Sequence, residues 1–227
     1  MSLPKNKLLR KWLTAISYLY DIQVEVASSS LNPFIEVTYH NGKYVLNTKL
    51  ANYSFASLHK VFQNVFKELK VKEGNYTNIL VLGLGAGSIV SILRDEYKLD
   101  TPITAVELDP EILRLGKKYF GLNEYKNLNI IEQDAYDLVI TCEEKFDLIA
   151  VDLFVDLDVP DKFASEEFNY HLNKLLMPKG LLIFNTVVNN KKQKAHSIEV
   201  SHNLPDHKEF IYEIAGGTNR VIYYYAK

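Results

Sequence analysis

The chain has 227 residues, 47% hydrophobic and 24% charged, the make-up of an ordinary folded α/β-sized protein, which excludes a disordered or fibrous one. Its 26 Lys and Arg nearly balance 28 Asp and Glu, so no global basic footprint points to nucleic acid, and none is expected as a partner. One cysteine, Cys142, excludes an internal disulfide framework. With no signal peptide and no apolar run long enough to span a bilayer, the expectation is a cytoplasmic protein with no membrane partner.

Lys5 to Tyr20 sets Leu8, Leu9, Trp12, Leu13, Ile16, Leu19 and Tyr20 on one stripe, which predicts an amphipathic helix packed on the domain or on a partner subunit. Ile22 to Ala27 and Phe34 to Thr48 alternate apolar and polar residues, and Asn41-Gly42 marks a tight type I′ hairpin. Residues 1–53 therefore read as a helix plus a small antiparallel β unit. The main domain, 54–227, opens with a helix carrying Phe55, Leu58, Val61, Phe62, Val65, Phe66 and Leu69 on one face.

Ile79 to Leu82 form an apolar run suited to a strand buried on both faces, followed by Gly83, Gly85 and Gly87. These glycines let the backbone turn sharply and approach a ligand with no Cβ in the way. Dinucleotide folds favour G-x-G-x-x-G, whereas here Ser88 takes the third place and the pattern is G-x-G-x-G. A second buried strand, Ile103 to Val106, ends at Glu107, placed to accept from the vicinal hydroxyls of a ribose. Asp109-Pro110 starts a helix. Leu128 to Glu132 lead to Asp134-Ala135, and Phe146 to Val151 end at Asp152.

A helix over Glu166 to Leu176 and a strand over Leu181 to Asn185 continue the alternation. That rhythm predicts a doubly wound, mostly parallel sheet with ligands at the carboxyl ends of its strands. Two final strands, Glu209 to Ile214 and Arg220 to Ala226, predict an antiparallel C-terminal hairpin of the kind that the class I methyltransferase-like Rossmann fold uses. His196, His202 and His207 lack helical ligand spacing and read as solvated loop residues, so no metal is expected; no G-x-S-x-G elbow supports a hydrolase.

The glycine loop, Glu107, Asp134 and Asp152 thus present polar chemistry at successive strand ends. Any one of these aspartates could be only a helix cap, but together they suit an adenosyl nucleotide. Asp134 would accept from the adenine amine, the Ala135 amide would donate to a ring nitrogen, and Asp152 would reach the transferred group.

The segments ILVLGLGAGS, AVELDPEILRLGKKYFGL, IIEQDAYDLV, FDLIAVDLFVD and ASEEFNYHLNKLLMPKGLLIFN resemble, in order, the spermidine synthase-like branch of the S-adenosylmethionine-dependent methyltransferase fold. The resemblance implies that Gly83, Gly85 and Gly87 back the donor, that Glu107 holds its ribose and Asp134 its adenine, and that Asp152 matches the family's catalytic aspartate. It also implies a homodimer through the amino-terminal region. The chain has Ala86 where the family loop carries an acid, Phe55 at a family tyrosine position, and Leu153, Phe154 and Val155 where the aspartate motif carries small polar residues.

Decarboxylated S-adenosylmethionine carries two cationic groups and no anion, so an acid-free loop tilts the expectation toward intact S-adenosylmethionine and methyl transfer to a small-molecule acceptor. Aminopropyl transfer from the decarboxylated donor is the alternative, and a non-catalytic nucleotide-binding or oligomerisation module a further one. Asp156 and Asp158 are the candidates for acceptor binding.

Overall fold

The computed structural model describes residues 7–48, 58–155, 158–214 and 217–227. Helix α1 (Lys7–Ile16) precedes three strands, β1 (Ile22–Ala27), β2 (Ile35–His40) and β3 (Lys43–Thr48), paired antiparallel in that order. Asn41 and Gly42 both have positive φ, 49° and 76°, the backbone that a type I′ turn demands. The first helix stops at Ile16, short of the expected Tyr20. Ser17 ends it: its hydroxyl donates back to the Thr14 carbonyl and accepts from the Gly42 amide, tying the chain to the hairpin turn and leaving Tyr18, Leu19 and Tyr20 exposed.

The remainder alternates helix and strand: α2 (Leu58–Glu68), β4 (Ile79–Leu82), α3 (Ser88–Ser91), β5 (Ile103–Glu107), α4 (Pro110–Tyr119), β6 (Leu128–Glu132), α5 (Ala135–Thr141), β7 (Phe146–Val151), α6 (Glu166–Leu175), β8 (Leu176–Val187), α7 (Lys191–His202), β9 (Lys208–Ile214) and β10 (Gly217–Tyr225). One seven-stranded sheet runs in the order β6-β5-β4-β7-β8-β10-β9. Its pairs are parallel from β6 to β8, while β10 is antiparallel to both β8 and β9. The expected doubly wound sheet with an antiparallel C-terminal hairpin is therefore present.

Alternation along the strands builds two cores, because successive side chains leave a strand on opposite faces. Ile79, Val81, Ile103, Ala105, Ile183 and Val221 meet Val61, Phe62, Val65 and Phe66 of α2 on one side. Leu80, Leu82, Val106, Leu182, Phe184 and Ile222 meet Leu138 of α5, Phe168 and Leu172 of α6 and Val200 of α7 on the other. A third cluster joins Ile35, Val37 and Leu46 of the small sheet to Ile112, Leu115 and Tyr119 of α4, with Ala86 in it. Glu25 of β1 clamps this contact, bonding to Arg114, Lys118 and Tyr119 at 2.5 Å each; the Lys118 and Tyr119 bonds, with the nearby guanidinium, hold its carboxyl down at about 2.

Helix α7 has no counterpart in the hydrophobic pattern, because its inward face is polar: Gln193, Ser197 and Ser201 are buried beside Val200. Its start was nonetheless encoded, since Asn190 accepts from the Gln193 amide at 2.9 Å as an N-cap. His196 and His202 consequently lie on a helix rather than in a loop, His196 paired with Asp161 at 3.3 Å. No helix of the described residues is long and apolar enough to cross a membrane.

Candidate active site

The carboxyl ends of β4, β5, β6 and β7 open into one cleft lined by Gly83, Gly85, Glu107, Asp109, Asp134, Ala135 and Asp152. Crossing the strands' ends at a point where helices leave toward both faces, it occupies the place that an open α/β sheet reserves for ligands.

All three glycines of the loop have positive φ, 88° at Gly83, 54° at Gly85 and 95° at Gly87, but they serve different ends. A Cβ on Gly83 would collide with the backbone carbonyl of Asp152, so this residue lets β4 and β7 close up and sets where Asp152 stands. A Cβ on Gly87 would meet the Leu122 side chain, and the residue lies outside the cleft lining. Only Gly85 bonds to a carboxylate of the site, donating its amide to Glu107 Oε2 at 2.8 Å. Ala86 is fully buried in the third cluster and does not line the cleft, so an acid at this position would sit among apolar side chains.

Glu107 terminates β5 with its carboxylate held by three backbone amides: Gly85 on Oε2, and Leu108 and Asp109, each at 3.0 Å, on Oε1. Burial pushes its pKa up, and the amides of Asp109, Gly85 and Leu108 oppose that rise. A carboxylate has about four lone-pair directions, so the group is fixed in place with an acceptor direction on Oε2 left for a ligand hydroxyl.

Asp134 caps α5, its Oδ1 accepting from the Tyr136 amide at 2.8 Å, which is the bland role open to any strand-end aspartate. Its Oδ2 is engaged by the ammonium of Lys162. That ammonium lies 5.0 Å from the centre of the Phe163 ring and 5.9 Å from that of Tyr136, so Lys162 covers the edge of the site where Ala135 begins the helix.

Asp152 follows β7. Its Oδ1 accepts from Asn185 Nδ2 at 2.9 Å, and burial, with Glu107 adding repulsion and Asn185 opposing, raises its pKa from 3.8 to about 6. Beyond it the wall turns apolar, with Leu153, Phe154, Val155, Pro160 and Phe163. Asp158 is outside the lining of this cleft; Gln193 of α7 donates to its Oδ1 at 2.7 Å and Lys192 stands 3.8 Å from its Oδ2. Asp156 lies outside the described residues, as does the segment 51–55.

Two further contributors carried no motif. Leu31 and Asn32, from the loop between β1 and β2, complete the lining, and Ser29 and Asn32 both bond to Asp109 Oδ2, at 2.5 and 2.7 Å. A Ser-rich stretch ending Asn32-Pro33 reads only as a loop. Asn185 was visible as a polar residue ending an otherwise apolar strand, a signal with no specified partner.

A seven-stranded sheet with a reversed terminal hairpin and carboxylates at successive strand ends defines a methyltransferase-like α/β protein. Residues 54–214 match the Spermine/spermidine synthase domain, and the chain belongs to that family. The eEF1A lysine and N-terminal methyltransferase homolog of Drosophila melanogaster is 29% identical over 159 residues, covering 64% of this chain and 23% of that protein. The polyamine aminopropyltransferase of Chromobacterium violaceum is 31% identical over 119 residues, covering 52% of this chain and 45% of its own length. The chain therefore spans less than half the length of either relative.

Solved structures share the fold, among them a spermidine synthase and a human methyltransferase-like protein. Spermidine synthase in complex with the transition state analogue AdoDATO superposes with a TM-score of 0.75 at 14% identity, covering 91% of this chain and 74% of that one. Human methyltransferase-like protein 13 in complex with SAH gives 0.63 at 22% identity, covering 76% and 83%.

Proposed function

We propose that the chain transfers an alkyl group from an S-adenosyl nucleotide to a small acceptor, with methyl transfer favoured. The observation that carries this reading is the convergence of an amide-fixed Glu107, a helix-capping Asp134 and a half-buried Asp152 of raised pKa on one cleft.

The donor would supply a carbon made electrophilic by its bond to a sulfonium sulfur. Glu107 accepts a ribose hydroxyl on Oε2, and its rigid seat means that no reorganisation is needed on binding. The Ala135 amide donates to an adenine ring nitrogen, and Asp134 accepts from the exocyclic amine once Lys162 moves aside. Asp152 takes the proton that an amine acceptor must lose before its lone pair is free, and a carboxyl titrating near 6 is ionised at neutral pH while keeping more basicity than an ordinary aspartate. Holding the two reactants in line supplies most of the rate.

The apolar wall of the cleft supports the preference for methyl transfer. Leu153, Phe154, Val155, Pro160 and Phe163 offer no anion to an acceptor with two cationic groups, and Ala86 does not reach the cleft. Aminopropyl transfer from decarboxylated S-adenosylmethionine is the second reading, favoured by the similarity to polyamine aminopropyltransferases. A non-catalytic module would bind the donor and turn over nothing. A cytoplasmic homodimer is part of the leading proposal, supported by Leu8, Trp12 and Ile16, which α1 leaves exposed.

Titrating the protein calorimetrically with S-adenosylmethionine and with its decarboxylated form separates the two donors. Tighter binding of the intact donor supports methyl transfer, and tighter binding of the decarboxylated one overturns that preference.

A further inference from the structure

Behind Asp152 stands a second polar group, and behind that a third. Asn185 Nδ2 donates to Asp152 Oδ1 at 2.9 Å, and Asn219 Nδ2 donates to Asn185 Oδ1 at 3.0 Å. Asn185 is 0% exposed and Asn219 2%. They sit on neighbouring antiparallel strands, β8 and β10, where Asn185 faces Val221 and Asn219 faces Val187, so the two amides are diagonal neighbours on one face of the sheet. Along that face Ile183 and Val221 belong to an apolar core, and the asparagines interrupt it at the end nearest the cleft.

We propose that Asn185, oriented from behind by Asn219, is a positioning residue that fixes the Asp152 carboxylate and leaves Oδ2 as the oxygen that receives the acceptor's proton. The inference rests on the reading of Asp152 as the proton acceptor. Its physical basis is the chain of donors. An asparagine side chain can rotate to present either its oxygen or its NH2 group, and a carboxylate needs the NH2. Asn219 settles the choice by donating to the oxygen of Asn185, which leaves the amide NH2 facing Asp152. Oδ1 is thereby occupied, and proton uptake falls to Oδ2. A buried amide pair in an apolar column has no packing role that leucine could not fill, so its orientation of Asp152 is what distinguishes it from ordinary core.

The groups that act on Asp152 are Glu107 from β5 and Asn185 from β8, one raising its proton affinity and the other lowering it. Removing the Asn185 donor therefore shifts the titration upward. Asn219→Leu, which touches Asp152 only through Asn185, shifts it the same way by less, because Asn185 then loses its fixed orientation.

The test is a carbon-13 NMR titration of the Asp152 side-chain carboxyl in the full chain, as wild type, Asn185→Leu and Asn219→Leu. The expected result is a midpoint raised by about one unit in Asn185→Leu, a tenfold change in proton affinity, and by a smaller amount in Asn219→Leu. If Asn185→Leu does not fold, Asn219→Leu decides the matter. An Asp152 midpoint unmoved in the folded variants overturns the proposal, since a purely structural role would affect melting alone. Turnover of Asp152→Asn reports separately on the base: shifted midpoints with undiminished turnover would keep the positioning and overturn the proton-acceptor reading.

Discussion

Asn32 donates to Asp109 Oδ2 at 2.7 Å, so a loop of the small amino-terminal sheet is bonded to the residue whose amide holds Glu107. Asp109 works in three directions at once. Its Oδ1 caps α4 through the Glu111 and Ile112 amides, its Oδ2 receives Asn32 and Ser29, and its backbone N–H donates to Glu107 Oε1. The amino-terminal unit is thereby coupled to Glu107, the proposed ribose acceptor, through one buried side chain.

That coupling predicts that Asn32→Ala weakens binding of S-adenosylmethionine by about tenfold, the scale of losing one hydrogen bond to a charged group. Calorimetric titration measures it. An unchanged affinity would mean that the loop merely rests on α4.

Asp152→Asn is expected to lower turnover by about 10²- to 10⁴-fold, the range for loss of a general base. It should also stabilise the fold. Asp152 titrates near 6 in the folded chain against 3.8 in its absence, so the native state binds the proton more tightly and stability from this group is lost as pH rises through about 6. The variant has no such loss, and Asn185 can still donate to its amide oxygen. Thermal melting should show Asp152→Asn more stable on the order of 1–3 kcal/mol above pH 7, with the difference shrinking toward pH 4. A gain that persisted unchanged at pH 4 would contradict the assignment.

The glycines separate by what a methyl group would strike. Gly83→Ala combines a left-handed backbone, worth about 1–2 kcal/mol, with collision against the Asp152 carbonyl, and neither backbone can yield. Gly87→Ala has the same backbone cost but meets the end of the Leu122 side chain, which can turn. Melting temperatures should therefore fall further for Gly83→Ala than for Gly87→Ala; the reverse order would show that Gly83 is not the contact that joins the two strands.

Much of this was readable in the residues. The apolar run into Gly83, the answering strand into Glu107 and the two strand-end aspartates placed the cleft, because buried parallel strands and glycine turns write themselves in hydrophobicity and composition. Helix α7 was not readable, since Gln193, Ser197 and Ser201 are its buried positions and a polar inward face leaves no apolar period. The burial of Ala86 was equally hidden: it follows from the small sheet packing on α4, a contact between segments far apart in the chain. Asn32 reaches the site from a loop and Lys162 from a single 3-10 turn, Asp161–Phe163, and the composition of neither says where it docks. Asp158 finds its partners, Gln193 and Lys192, on α7, which no apolar pattern in the sequence announced.

Lys162 and Asp134 form a partly exposed pair, and in the proposed function an adenine amine replaces Lys162 on the carboxylate. Lys162→Ala removes the competitor and is expected to tighten S-adenosylmethionine binding twofold to fivefold, consistent with about 0.5–1 kcal/mol for such a pair. Added salt should narrow the gap between variant and wild type. Weaker binding in the variant would instead make Lys162 part of the nucleotide's own seat.

Calorimetric titration of wild type and Glu107→Ala with S-adenosylmethionine, with NAD as the competing ligand, tests the central claim most directly. The cleft is expected to bind one S-adenosylmethionine per chain in preference to NAD, and to lose at least about tenfold in affinity without the Glu107 carboxylate. A preference for NAD, or an affinity for S-adenosylmethionine that survives Glu107→Ala unchanged, would contradict it.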